Sequence, residues 1–194
     1  MTDIVIKQEW HSIRASNYLG IQKNGYSTVK KNFPDAFQVY LPNTSLPNWT
    51  VIRNPMDRFV SGLAYDLRYT PYIDKTKIIN NIENLIVTNY MNGPKKSNGF
   101  GCHTQMQSLY FLGEKIDFFV DISDLETFIK IHNNGIYKSE KENKTTKEEK
   151  EAALEIINSV DKTKLNALFY IENKIYERIL ISANIWKWQY ATIF

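Results

Sequence analysis

The sequence predicts an α/β domain with a central, mainly parallel sheet flanked by helices, and three observations carry that expectation. Short apolar runs in the first third alternate with turn residues and helical stretches, as strands joined by crossovers do. Residues 49–53 read as a strand that runs straight into Asn54-Pro55, and Met56, Phe59, Val60, Leu63 and Leu67 then recur at helical spacing. A second buried run, residues 116–122, returns to strand character before another helix start.

The elements follow in order. Residues 18–21 read as a short strand, and residues 27–33 as a short helix after a glycine turn. Residues 36–41 form a second strand candidate closed by Pro42, and 49–53 a third. Asn54 is an N-cap type, Pro55 suits the first helical position, and Asp57 lies in the first turn. Residues 78–90 predict a second long helix, 92–101 a loop rich in Gly, Asn and Lys, and 104–111 a further helix. Ser123 and Glu126 have the spacing of a capping box, as do Thr146 and Glu149 ahead of a helix through Ile157. Between them, residues 131–147 form the most polar stretch, expected as a surface loop. A last helix over 162–182 turns Leu165, Leu168, Phe169, Ile175 and Ile179 to the core, and the tail 186–194 is expected to pack against the domain. No fixed-period repeat or low-complexity linker divides the 194 residues, so residues 1–194 are expected to form one domain.

Composition excludes several classes. The net charge of +3 is too small an excess to argue for nucleic acid, so an anionic ligand must be argued from placement. Cys102 is the single cysteine, which rules out an intramolecular disulfide, and no Cys/His spacing resembles a zinc site. There is no apolar run of about 18 residues for a membrane span and no signal-peptide core at the N-terminus. A cytoplasmic location is expected, although a trimmed luminal domain would read the same.

Two segments carry chemistry. In the first, residues 22–30, a strand end turns through Gly25 into a helix. A helix start offers unpaired N–H groups and partial positive charge; Ser27 and Thr28 add hydroxyls, and Lys23 adds a full charge. The GxxxxGK[ST] pattern of a Walker loop is absent. In the second, residues 51–61, Arg53 leaves the carboxyl end of a strand, where ligands of open α/β sheets gather. Ser61 returns two helical turns later to the face of the Asn54 cap, with Arg58 between them. Arg53 and Ser61 are therefore expected to hold one phosphate from two sides.

Together the segments resemble the PAPS-dependent sulfotransferases, especially the carbohydrate sulfotransferase branch. That family carries P-K-x-G-x-[ST]-[ST] for the 5′-phosphosulfate and, downstream, R-[DN]-P-x-x-R-x-x-S for the 3′-phosphate. The first is matched by Lys23, Gly25, Ser27 and Thr28, with Asn24 and Tyr26 in the intervening positions. The second is matched by Arg53, Asn54, Pro55, Arg58 and Ser61. His103-Thr104-Gln105-Met106-Gln107 is similar to the branch's H-x-x-P-Q segment, with Met106 in place of proline. Residues 116–120 with Leu125 resemble its next strand and turn, and Tyr170 and Tyr176 its aromatic C-terminal pattern. Gln22 stands where the loop proline is expected, Tyr26 is bulky for its position, and only 30 positions separate Lys23 from Arg53. That short spacer removes material that often shapes the acceptor site.

The resemblance implies a P-loop-like three-layer domain, PAPS as donor with PAP as product, and a small-molecule or glycan acceptor hydroxyl. It implies in-line transfer in which Lys23, the loop amides and Ser27 or Thr28 stabilise charge on the bridging oxygen. His103 has the best context for the general base, since imidazole titrates near neutrality. His11, His132 and Asp35 are alternatives, and Lys138, Lys141 or Lys144 in the polar loop are candidates to touch the nucleotide. A second class of function stays open: a degenerate member that binds a phosphonucleotide or a protein partner without turnover. A phosphotransferase is disfavoured, because neither the Walker pattern nor a metal-binding Asp cluster is present.

Overall fold

The computed structural model describes residues 16–21, 23–36, 46–69, 72, 74–80, 82–83, 86, 103–111, 113–139 and 144–187. Among these, three strands form one parallel sheet: β1 (Asn17–Leu19), β2 (Asn48–Ile52) and β3 (Phe118–Asp121), in the order β1-β2-β3. Tyr18 pairs with Trp49, and Trp49 with Phe118, which sets the register across the sheet. Between β1 and β2 lies α1 (Tyr26–Asn32), followed by a one-turn 3₁₀ helix (Pro34–Ala36). Between β2 and β3 come α2 (Pro55–Tyr69), α3 (Lys75–Asn80) and the single turn α4 (Ser108–Phe111). After β3 follow α5 (Leu125–His132), α6 (Lys147–Asn158) and α7 (Lys162–Leu180).

Side-chain alternation explains why the sheet is covered on both faces. Tyr18, Trp49, Val51, Phe118 and Val120 point to one side, where they meet Val29 and Phe33 from α1 and Phe128 from α5. Trp49 is the centre of this core: its ring stacks on Phe118 at 5.6 Å, and its indole N–H donates to Ser16 Oγ at 2.8 Å. Ile52 and Phe119 point to the opposite side and meet Phe111, Ile175 and Ile179. A third apolar cluster has no strand in it. Phe59 and Leu63 of α2 pack there with Ile156 of α6 and with Leu165 and Phe169 of α7. The outer edge of β3 is closed by residues 184–186, which exchange backbone hydrogen bonds with Phe119.

Several sequence expectations change. The predicted helix over 104–111 shrinks to α4, because residues 103–107 are held by side-chain contacts to α2 and β2 described below. Ala36 ends the 3₁₀ turn instead of opening a strand, and 37–41 lie outside the described residues. The Ser123–Glu126 capping box does not form: both the N–H and the Oγ–H of Ser123 donate to Asp121 Oδ1, and Asp124 is the N-cap of α5. The Thr146–Glu149 box does form, with both reciprocal bonds present. Asn54 caps α2 as expected, its Oδ1 accepting from Asp57 N at 3.1 Å. The part of the 78–90 helix beyond α3 and the tail beyond residue 187 fall wholly or largely outside the described residues. Trp186 does pack inward, edge-on against Phe128 at 5.2 Å. No described helix is long and apolar enough to cross a membrane.

His132 joins this aromatic cluster, 4.7 Å from Phe128, and burial lowers its pKa to about 4. The unfolded chain takes up that proton near pH 6.5, whereas the folded chain resists it. The His132 contribution to stability is therefore expected to fall as pH drops from about 6.5 toward 4 and to level off below that. The effect is about 1–2 kcal/mol once solvent screening at the partly exposed ring is allowed for. Urea midpoints at the two ends of the window should separate in the wild type and converge in His132→Leu.

Candidate functional site

Because the strands are parallel, their carboxyl ends emerge together. Leu19 leads into the 20–25 loop, Ile52 into Arg53 and Asn54, and Asp121 into the turn before α5. The first loop is tightly wound. Lys23 has a φ of 65° and Gly25 a φ of 77°, both in the left-handed region that L side chains rarely adopt. Gly25 is required twice over, since an added Cβ would also sit 2.5 Å from Leu125 Cδ2.

The loop is bound to β2 from within. Asn24 is fully buried, and its Nδ2 donates to Val51 O at 2.8 Å and to Gln107 Oε1 at 2.7 Å. The same Gln107 Oε1 accepts from Arg53 N at 3.0 Å, and Gln107 Nε2 donates to Arg53 O at 2.6 Å. One glutamine amide thus satisfies both backbone groups of Arg53 and holds the neighbouring loop against them. Arg53 closes the circuit, its Nη1 donating to Lys23 O at 3.3 Å. Burial lowers the pKa of the Arg53 guanidinium, while Asp57 and Asp121 oppose that shift.

On the outer side, Tyr65 of α2 forms a platform. The Lys23 ammonium lies 3.2 Å from its ring centroid, and the His103 ring lies against it at 4.5 Å. His103 Nδ1 is 2.5 Å from Asp66 Oδ1, one residue further along α2. The backbone of His103 reaches this close because residue 62 is glycine: an added Cβ there would collide with the His103 carbonyl. Ser61 faces the segment before α6, with its Oγ 3.4 Å from Thr145 Oγ1. That segment is pinned by Arg68, whose Nη2 donates to Lys144 O at 3.0 Å and which pairs with Glu149 through two bonds of 2.5 Å. The Arg68 bonds hold the Glu149 carboxyl below its ordinary pKa, and the Lys23 charge adds to that effect.

The residues singled out in the sequence therefore divide. Lys23, Arg53 and His103 come together around one end of the sheet, with Ser61 on α2 beside Thr145. Ser27 and Thr28 occupy the first turn of α1 and are half-buried. Tyr26 is half-buried, packed on the aromatic core. Asn24 turns inward as scaffold. Arg58 is interior: it is 2% exposed and donates to Gln105 O, with Tyr110 and Glu172 opposing the lowering of its pKa by burial. It ties α2 to the 103–107 segment. Among the alternative bases, His132 belongs to the aromatic core. Asp35 lines a cavity of about 270 Å³ beside Asn32, Asn133 and Lys138. That cavity sits past the C-terminal end of α1, about 10 Å of helix from the loop. Lys138 donates its N–H there to Asn32 Oδ1. Lys144 meets Arg68 through its carbonyl. His11, Cys102 and Lys141 lie outside the described residues, which include no cluster of three or more metal-ligating side chains.

A scan of protein-family models finds no match to this chain, and searches among characterised proteins and among solved structures find none either.

Sequence reasoning missed Tyr65, Asp66 and the bridging role of Gln107. Tyr65 and Asp66 carry no local signal, since both look like ordinary positions on an amphipathic helix. Gln107 was visible only as one letter of a motif. Its bridging role predicts that Gln107→Leu leaves the Asn24 amide and both Arg53 backbone groups short of partners. A loss of about 2–4 kcal/mol in urea unfolding is expected, whereas the exposed Lys162→Ala should change stability by less than about 0.5 kcal/mol.

Proposed function

We propose that this protein is a PAPS-dependent sulfotransferase that moves a sulfuryl group to an acceptor hydroxyl by in-line displacement. The observation that carries this reading is the junction of the two motif segments. Lys23 and Arg53 stand at the carboxyl ends of adjacent parallel strands, in hydrogen-bond contact and tied by Gln107. A lysine and an arginine on adjacent strand ends, the arginine partly desolvated, suit a ligand with two separated anionic groups. Ser61 and the half-buried Ser27 and Thr28 supply neutral donors in the same two segments. On this reading Arg53 and Ser61 hold the 3′-phosphate. Lys23 with residues 24–28 holds the 5′-phosphosulfate and steadies charge on the oxygen that departs. The donor supplies the activated sulfuryl group, and His103 takes the acceptor proton.

The same reading makes the sheet the middle layer of a P-loop-like three-layer domain. Its support is the packing of α1 and α5 on one face and of α4 and α7 on the other. A sugar or glycan hydroxyl is the proposed acceptor, on the branch resemblance alone. A second reading, binding of a phosphonucleotide without turnover, draws on the Lys23 ammonium, which rests on the Tyr65 ring in this structure.

Calorimetric titration of PAP is the test. Saturable micromolar binding, about −8 kcal/mol, is expected for the wild type, with a loss of at least about 10-fold in Arg53→Ala from one charge-assisted contact. Folded wild type that does not bind PAP would remove the nucleotide site. Lys23→Ala separates the two readings. A catalyst loses release of PAP from PAPS while keeping most of its PAP affinity; a binding module shows no release even as wild type.

A further inference from the structure

We infer that Asp66 is the positioning residue for His103, holding the imidazole so that Nε2 is the nitrogen that takes the acceptor proton. The inference rests on the sulfotransferase reading and adds to it a residue that lies outside both motifs. Three observations carry it. His103 Nδ1 approaches Asp66 Oδ1 to 2.5 Å, a charge-assisted distance. The pair is sheltered, with the Asp66 side chain 5% and the His103 side chain 18% exposed, so the contact is only weakly screened by water. Tyr65, the residue before Asp66, carries the His103 ring and the Lys23 ammonium on the same aromatic platform.

The chemistry follows from the acceptor side of that contact. A carboxylate only accepts, so Nδ1 must carry the proton and the neutral ring keeps its lone pair on Nε2. During transfer His103 Nε2 takes the acceptor's O–H proton as the acceptor oxygen bonds to sulfur. The bond from sulfur to the bridging oxygen breaks, and its electron pair leaves with the phosphate of PAP. The ring becomes an imidazolium while the Lys23 ammonium rests against the same tyrosine, and the two cations repel. Asp66 supplies the negative charge that offsets the second one, as the carboxylate of a hydrolase triad does for its histidine. Gly62 is part of the same device, because only a glycine lets the His103 backbone approach α2 closely enough for Nδ1 to reach Asp66.

The first measurement is the tautomer of His103 in the wild-type protein, read from long-range ¹H–¹⁵N correlations of its ring and assigned with His103→Gln. The neutral ring is expected as the Nδ1–H form; a dominant Nε2–H form would overturn the inference, whatever the enzyme turns over. The second is release of PAP from PAPS with water as acceptor, compared between wild type and Asp66→Asn. A fall of about 100-fold or more is expected, with PAP affinity within about 2-fold and with loss of the Nδ1–H tautomer. Unchanged release in a variant that binds PAP normally would sink the role of Asp66 and leave the nucleotide site standing. Failure of wild type to bind PAP would instead remove the sulfotransferase reading beneath it. If Asp66→Asn does not fold, Asp66→Glu is the second variant. Recovery of the Nδ1–H tautomer there supports positioning by a carboxylate, and its loss with the fold intact counts against it.

Discussion

The side-chain amide of Gln107 is the interaction on which the site depends. It contributes one acceptor and one donor to the two backbone groups of Arg53, and the same acceptor receives the Asn24 amide. A strand that ends inside a protein leaves its last N–H and C=O without ladder partners, and leaving them unmet would be costly. Here those groups are met by a residue from a third segment, so finishing β2 and positioning the 20–25 loop are one event. Of the loop's two left-handed residues, Gly25 adopts that conformation freely, whereas Lys23 is in one a free chain would seldom hold. The Lys23 conformation persists because Asn24, next to it, is anchored to Val51 and Gln107.

Helix α2 organises the remainder. One face, with Phe59 and Leu63, packs into the helical core against Ile156 and Phe169. A second sends Arg58 inward to the carbonyl of Gln105, within the electrostatic reach of Glu172. Glu172 in turn accepts from Ser108 N at 3.1 Å and from the Ser108 hydroxyl. A third face presents Ser61, Tyr65 and Arg68 to the loop and to the segment before α6. An arginine buried to 2% exposure needs its charge offset, and Tyr110 and the equally buried Glu172 act in that direction. These buried polar contacts explain why residues 103–107 are irregular despite a helical pattern: their polar groups are committed to α2 and β2 instead of to one another.

Much of this was legible in the sequence. Strand β2 was readable to within a residue and helix α2 by its start and its apolar face, because their signals are local: an apolar run, an N-cap asparagine, Pro55 at the first helical position and a stripe at 3.6 spacing. The Thr146–Glu149 capping box was readable for the same reason, and Lys23, Gly25, Arg53 and Ser61 stood out by spacing. The Ser123–Glu126 box failed because a nearby acceptor, Asp121 Oδ1, competes for the serine. Asp121 is engaged on its other oxygen as well, by the Tyr176 hydroxyl at 2.6 Å from α7, and a contact 55 residues away leaves no trace in local pattern. Tyr65 and Asp66 were hidden likewise, because their partners Lys23 and His103 are both distant along the chain.

What the sequence determined by itself is the class of architecture and the two charged segments. Apolar periodicity sets strands and helices, and the strand-to-loop junctions at Lys23 and Arg53 follow from it. What only the tertiary structure decided is which of the polar residues share a site. Arg58 and Arg53 lie five positions apart with similar local surroundings, yet one is sealed beneath Gln105 and the other stands beside Lys23. The difference comes from where the 103–107 segment docks. That docking depends on buried and part-buried hydrogen bonds between residues 37 to 83 positions apart, whose strength comes from exclusion of water and not from any local preference of the chain.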